Sequence, residues 1–200
     1  MSLSLALLLV AAPPQSPAGA AYSRTITECD RLASHPDDPL KVAPGISDSA
    51  MDKPAAIAAC KRAVAGDPDN PRLNYQLGRA LGYSGRGAEA LPYRAKAIAG
   101  EYPQALFVIG YITMLGLNEQ PKDVCRGADL IRRSAIAGRL AGQTGFVHWA
   151  MEGRFKGCKV KIDKSEMTGF LSRAKASVGS DFYNGLLVES LQARLDRHVF

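Results

Sequence analysis

Residues 56–66 read AIAACKRAVAG, residues 90–100 read ALPYRAKAIAG, and residues 128–138 read ADLIRRSAIAG. Each stretch has an alanine, a second alanine seven residues later, and a glycine three residues after that. The starting alanines are separated by intervals of 34 and 38 residues. A degenerate fourth copy consists of Met167, Ala174 and Ser177. The chain is therefore predicted to repeat one structural unit.

The repeated pattern is typical of tightly packed helices. Residues seven apart lie on one face of an α-helix, two turns along. Alanine at both positions lets a neighbouring helix approach closely, and the glycine is expected to take the left-handed C-cap conformation. Partner helices are indicated by pairs that precede the alanines, which are Leu77-Gly78, Ile109-Gly110 and Phe146-Val147. The unit is predicted to be helix, turn, helix.

The resulting secondary-structure prediction is all-α. Asn70 is expected to be an N-cap with Pro71 in the first helical position, and Pro92 is expected to kink its helix or delay its start. An irregular stretch is expected before about Asp52, and no credible run of strands is found. The predicted helices cover residues 25–34, 54–65, 71–84, 88–99, 103–116, 122–137, 140–153, 163–177 and 180–195.

These residues resemble a known repeat family. Asn74, Leu77, Gly78 and Leu81, followed by Ala90 and Ala97, resemble a tetratricopeptide repeat, and Ala105 to Gly138 resembles a Sel-like repeat. The resemblance spans residues 53–178. It implies a right-handed α-solenoid of three to four helix–turn–helix repeats within residues 53–200, closed by a C-terminal capping helix. The layout is also similar to exported envelope proteins of the alphaproteobacterial type.

The first residues indicate export. A short apolar run from Leu3 to Val10 precedes the small residues Ala18-Gly19-Ala20, and no charged residue occurs before Arg24. The run is too short to cross a bilayer, and the small residues have the form of a cleavage site. We therefore predict a signal peptide over residues 1–20, which lacks a basic n-region, and a periplasmic or secreted mature protein. An apolar tail is the alternative. Residues 21–52 are predicted to be a short helix and an irregular segment.

Four cysteines follow the predicted signal, namely Cys29, Cys60, Cys125 and Cys158. None of them belongs to a C-x-x-C motif, which argues against zinc ribbons and thioredoxin-type redox pairs. An even number in an exported protein favours disulfide bonds. Of three pairings, Cys29–Cys60 with Cys125–Cys158 is the most economical, because it links neighbouring elements. Free buried thiols are the alternative in a cytosolic protein.

The family resemblance implies a binding groove along the first helix of each unit. Aromatic and arginine side chains there are typical of binding hot spots, and Arg72 with Arg79 is expected to pair with a carboxylate. Core packing and a solvated stripe are the alternatives. The groove positions are Arg72, Tyr75, Arg79 and Tyr83 in one unit, Phe107, Tyr111 and Met114 in the next, and Thr144, His148 and Glu152 in the third.

A basic loop follows the third of these helices. It contains Arg154, Lys156, Lys159 and Lys161, with Lys164 shortly after. Such a run is expected to contact an anionic envelope polymer or an acidic protein, or to be an ordinary solvated loop. The net charge of +6 is modest. Nucleic-acid binding is not expected, because no recognised module is present.

No catalytic motif occurs in the sequence. His35, His148 and His198 lack metal-ligand spacing, and nucleophile-elbow, P-loop and dinucleotide-binding motifs are absent. No cofactor, metal or integral membrane segment of the mature chain is expected. The leading hypothesis is an exported, non-catalytic scaffold for protein–protein interaction in the cell envelope. Binding or processing of cell-wall polymer is the alternative. Residues 179–200 are expected to cap the last unit, with self-association through their apolar stripe as the alternative.

Overall fold

The computed structural model describes residues 22–118 and 120–199. These residues form helices and connecting loops with no strand, so the predicted all-α fold is confirmed. The predicted signal peptide lies outside the described residues. The helices are α1 (Glu28–Ala33), α2 (Lys53–Gly66), α3 (Pro71–Tyr83), α4 (Gly87–Ala99), α5 (Pro103–Leu115), α6 (Val124–Ile136), α7 (Leu140–Met151), α8 (Lys164–Val178) and α9 (Phe182–Arg197).

Local sequence signals determine where the helices begin. The Asn70 side chain accepts hydrogen bonds from the backbone N–H groups of Arg72 and Leu73, and Pro71 is the first residue of α3, as predicted. Aspartates at positions 52, 123, 163 and 181 cap four other helices in the same way. Pro92 does not delay α4, which starts at Gly87; that part of the prediction is wrong.

Five of the six repeated alanines are buried, as expected for contacts between helices, and Ala63 is half-buried. Ala90, Ala97, Ala128 and Ala135 are fully buried. The glycines that end the three copies, Gly66, Gly100 and Gly138, differ in backbone conformation. Of these three, only Gly138 has a positive φ, of 86°. The left-handed prediction is wrong for Gly66, the last residue of α2, and for Gly100, which has a φ of −80°. Gly100 instead allows close packing, since a Cβ there would lie 2.5 Å from Cβ of Pro71.

Consecutive helices pack against each other along the whole described chain, and α7 also packs against α9. Helices α5 and α6 come close together at two glycines. A Cβ on Gly127 would lie 2.7 Å from the carbonyl oxygen of Gly110, which explains the predicted need for small residues at this crossing. The right-handed solenoid remains a prediction.

Two disulfide bonds connect neighbouring elements of the fold. Cys29 of α1 is bonded to Cys60 of α2, and Cys125 of α6 is bonded to Cys158 in the loop between α7 and α8. This is the sequential pairing, and no cysteine is left free. Such bonds are typical of proteins that fold outside the reducing cytosol. None of the helices in the described residues is both long and apolar enough to span a membrane.

Candidate functional site

The N-terminal segment, residues 22–47, covers the side of α3 that was predicted to line an open groove. Arg72 of α3 is fully buried and donates to the carboxylate of Asp30 in α1, which is also fully buried. The Arg72 guanidinium donates further to the carbonyl oxygens of Ser23 and Thr25, at 3.1 and 3.2 Å. An arginine predicted to face a partner is therefore used within the chain.

Arg79 holds the same segment about two turns further along α3. Its guanidinium donates to the carbonyl oxygens of Ala33, Ser34 and Ile46, at distances of 3.0, 3.2 and 2.6 Å. Two of these carbonyls lie at the C-terminal end of α1, where a helix leaves carbonyl groups without intrahelical partners. A cation at this end also interacts favourably with the helix dipole.

The groove prediction is therefore wrong for the first unit. Arg72, Tyr75 and Arg79 are buried, and only Tyr83 is substantially exposed. The expected pairing of Arg72 and Arg79 with an external carboxylate is replaced by Asp30 and by backbone carbonyls. Met114 is also in the core, packed among side chains of α6 and α7, so it is not a groove residue.

The second and third units bring the other predicted residues together. We call this surface the α5–α7–α9 face. The rings of Phe107 and Tyr111 on α5 have centroids 6.3 Å apart, and Tyr111 stacks against Trp149 of α7 at 5.7 Å. The guanidinium of Arg139 lies 5.7 Å from the Phe107 ring centroid. The aromatic ledge consists of Phe107, Tyr111 and Trp149. It is partly open to solvent, because Tyr111 is exposed.

Polar groups border the ledge on the α9 side. The imidazole Nδ1 of His148 lies 3.4 Å from Nη1 of Arg194, and its Nε2 lies 3.8 Å from the Glu152 carboxylate. Arg194 approaches the same carboxylate at 3.6 Å. The predicted positions His148 and Glu152 thus share a charged cluster with a residue of the last helix. Thr144, the other predicted residue of this unit, is buried and donates to the Leu140 carbonyl oxygen.

Two adjoining clefts run between α7 and α9. One has a volume of about 600 Å³ and is bounded at one end by Asp37 and Lys41 of the N-terminal segment. The other, of about 260 Å³, contains His148 and Arg194. Because Thr144 and Leu187 line both clefts, the two clefts form one groove. We call it the α7–α9 groove. The Phe107 ring lies beside Gly145, a residue that lines the groove, since a Cβ on Gly145 would lie 3.5 Å from Cε2 of Phe107.

The apolar stripe of α9 is divided between two environments. Leu191 and Leu195 are buried against the rest of the chain, as expected for a capping helix. Phe182 and Leu186, at the start of the helix, are exposed, and Leu187 faces the α7–α9 groove with 45% of its surface accessible. The stripe therefore caps the last unit and also leaves apolar side chains beside the groove.

The basic loop is exposed at all of its charged positions, which are Arg154, Lys156, Lys159 and Lys161. Arg154 lies 3.8 Å from Glu152, and Lys161 lies 3.6 Å from Asp163. The Cys125–Cys158 bond anchors the loop to α6. Lys164 belongs to the fold instead, because its ammonium group donates to the carbonyl oxygens of Asp196 and His198.

Sequence reasoning missed Arg139 and Arg194 as groove residues, and it treated Trp149 only as a neighbour of His148. Their side chains meet across helices that are far apart in sequence, so no spacing rule could reveal the cluster. A signal for Trp149 did exist, because Gly145 lies one turn before it and leaves room for the indole ring, which a Cβ would approach to 2.8 Å.

Within the described part of the chain, no group of three or more His, Cys, Asp or Glu side chains is arranged to hold a metal ion. Comparisons with known proteins find no matching family, no similar curated protein and no similar solved structure.

Proposed function

We propose that this protein is a non-catalytic binding module of the cell envelope that holds an extended segment of a partner protein in the α7–α9 groove. The observation that carries the proposal is a contrast between two faces. The chain covers α3 with its own N-terminal segment, whereas within the described residues the groove between α7 and α9 is open and is lined by apolar side chains such as Leu187 and by cationic ones such as Arg194.

The composition of the groove suits a peptide. Leu187 offers apolar surface inside the groove, and the aromatic ledge offers more on the same α5–α7–α9 face, where Trp149 and Tyr111 are residue types enriched at binding hot spots. Arg194 and Asp181 provide charges of both signs on the α9 side of the groove, which suits a partner with mixed polar side chains. Exposed Phe182 and Leu186 would extend the contact beyond the groove.

We also propose that the chain belongs to the tetratricopeptide or Sel-like repeats. We further propose that it is exported to the periplasm or the medium. The repeated alanines at helix contacts support the first, and the two disulfide bonds support the second.

The experiment compares two matched substitutions of exposed leucines. Leu187 is 45% exposed in the groove, and Leu91 is 43% exposed on α4, away from it. The protein carries a photo-crosslinking residue at position 190, which lines the groove, and is irradiated in an envelope extract. Leu187→Glu is expected to abolish a crosslinked partner that Leu91→Glu retains. Equal recovery with both variants would contradict the proposal.

A second candidate function is contact with an anionic envelope polymer, favoured by the four exposed cations of the basic loop. Cosedimentation with peptidoglycan sacculi at physiological salt tests it, with Lys156→Gln/Lys159→Gln/Lys161→Gln as the variant. The triple variant is expected to lose cosedimentation if the polymer binds here, and Leu187→Glu is expected to keep it. Unchanged cosedimentation of the triple variant would count against this candidate.

A further inference from the structure

Arg94 is a buried cation whose side chain extends from α4 across the surface of α3. It lies on α4 and is only 6% exposed. Its side chain passes over two glycines of α3, since a Cβ on Gly78 would lie 3.2 Å from Cγ of Arg94 and a Cβ on Gly82 would lie 2.6 Å from its Nη2. The two glycines are one helical turn apart, so together they leave a channel for this side chain.

The channel leads to a small cavity between α3 and α5. The cavity has a volume of about 40 Å³, and its walls include Arg79, Tyr83, Ile109 and Ile112 as well as Arg94. A single ordered water needs roughly 10–15 Å³ by this measure. The cavity is therefore large enough for a group bigger than one water molecule, and exposed Tyr83 and Asn118 lie at its edge.

Two arginines that line this cavity each have a buried N–H donor without a hydrogen-bond partner. These donors are Nη1 of Arg94 and Nε of Arg79. Among the described residues, no carboxylate forms an ion pair with Arg94. Burial lowers the pKa of the Arg94 guanidinium below its ordinary value, but an arginine stays protonated in proteins. Buried charges are ordinarily paired, because leaving one unpaired is costly.

We propose that the cavity between α3 and α5 is a binding site for a small oxyanion, of the carboxylate or phosphate type, held by the guanidinium groups of Arg94 and Arg79. Charge-assisted hydrogen bonds from two guanidinium groups are a strong recognition mode for such anions. The apolar walls from Ile109 and Ile112 limit the size of the ligand. This site is separate from the α7–α9 groove and does not depend on its function.

The proposal is tested first with the full chain and three probes. Sodium phosphate, sulfate and acetate are titrated while the melting temperature and the Nε–H resonances of the arginines are followed by NMR, with sodium chloride at matched ionic strength as the reference. An anion that binds the folded state raises the melting temperature in proportion to the logarithm of its concentration. Saturable shifts of the Arg94 and Arg79 resonances are expected, and the ranking of the probes distinguishes phosphate from carboxylate.

Two variants and a control sharpen the test. Arg94→Met removes the charge while filling the channel, and Gly82→Ala keeps every charge but pushes the guanidinium from its place. Arg62→Met is the control, because it changes the same charge at an exposed position. Loss of one charged hydrogen-bond partner is expected to weaken binding on the order of tenfold or more. Both cavity variants should show this loss, and the control should bind as the unchanged protein does.

Arg94→Met is also expected to melt at a higher temperature than the unchanged protein in anion-free buffer, because it removes an unpaired buried charge. Absence of any saturable shift with all three probes would overturn the proposal, since ordered water alone would then fill the cavity. Equal anion responses in Arg94→Met and Arg62→Met would overturn it as well. If Arg94→Met does not fold, Gly82→Ala and the arginine resonances of the unchanged protein decide the outcome.

Discussion

The guanidinium of Arg72 on α3 donates to the carboxylate of Asp30 on α1, and neither side chain has any surface accessible to solvent. Asp30 also accepts hydrogen bonds from the backbone N–H of Thr27 and from the Gln76 amide, at 2.8 and 3.0 Å. One carboxylate therefore closes the N-terminus of α1 and attaches that helix to α3. This contact keeps the N-terminal segment over a surface that would otherwise be open.

Substituting Asp30 with asparagine should strongly destabilise the protein. The change leaves the Arg72 guanidinium buried without its counter-ion, which typically costs about 3–5 kcal/mol. Urea unfolding of Asp30→Asn measures the loss, and Arg72→Met with the double variant completes a double-mutant cycle. We expect the double variant to lose less than the sum of the single losses. Strict additivity would mean that the two groups do not interact.

Substituting Gly127 with alanine should separate α5 from α6. The new Cβ would lie 2.7 Å from the Gly110 carbonyl oxygen and 2.8 Å from Cα of Met114, and neither backbone atom can move cheaply. We expect the free energy of unfolding to fall by about 1–3 kcal/mol. Gly185→Ala in α9 is the control, because nothing lies within 4 Å of its new Cβ. The control should gain about 0.5–1 kcal/mol from helix propensity. A gain in both variants would contradict the crossing geometry.

Removing the Cys29–Cys60 bond should release the N-terminal segment from α3. The bond closes a loop of 31 residues, for which the chain-entropy treatment gives a stabilisation of about 3–4 kcal/mol. Hydrogen exchange of Cys29→Ser/Cys60→Ser should be faster in α3 than in the unchanged protein. The matched variant Cys125→Ser/Cys158→Ser opens a loop of 33 residues and should leave the exchange of α3 unaltered. The same exchange pattern in both variants would show that the first bond does not hold the segment.

His35 should make the protein less stable as the solution becomes mildly acidic. Burial lowers the pKa of His35 to about 4, with a further contribution from the nearby Arg79 guanidinium. Its Nδ1 accepts a hydrogen bond from the backbone N–H of Asp37 at 3.0 Å, which requires an unprotonated nitrogen. Because the unfolded chain takes up a proton near pH 6.5 and the folded chain near pH 4, stability falls as the pH drops through this window.

The expected loss between pH 6.5 and 4 is about 1–2 kcal/mol, reduced from the full pKa difference because His35 is partly exposed. Burial raises the pKa of Asp38, which acts in the opposite direction in acid. The measurement is therefore the difference in unfolding free energy between the unchanged protein and His35→Gln across this range. A difference that stays constant with pH would refute the assignment to His35.

The helices could be predicted because their signals are local. Asn70 with Pro71 starts α3, and the buried pairs Ala90 with Ala97 and Ala128 with Ala135 mark the contact faces of α4 and α6. The glycines were harder to interpret. A glycine is required both where φ is positive, as at Gly138, and where another helix comes close, as at Gly100, and the residue type is the same in both cases.

The candidate site was predictable in part. Phe107, Tyr111, His148 and Glu152 do meet on the α5–α7–α9 face, because the repeat spacing places them on corresponding helices. Arg72 and Arg79 had the right residue type and spacing for a groove, but a segment about 40 residues earlier in the chain covers them. No local sequence pattern indicates the contact between that segment and the two arginines.

Local sequence signals are enough to derive the all-α class, the approximate positions of the helices and the alanine faces along which they pack. Capping residues and side-chain periodicity act within a few residues, so they can be interpreted without the fold. The fold is needed to see which arginines are used internally, that Arg94 has a buried donor without a partner, and that the α7–α9 groove is open within the described residues. These depend on which distant segments approach each other, and that is settled by the packing of the whole chain.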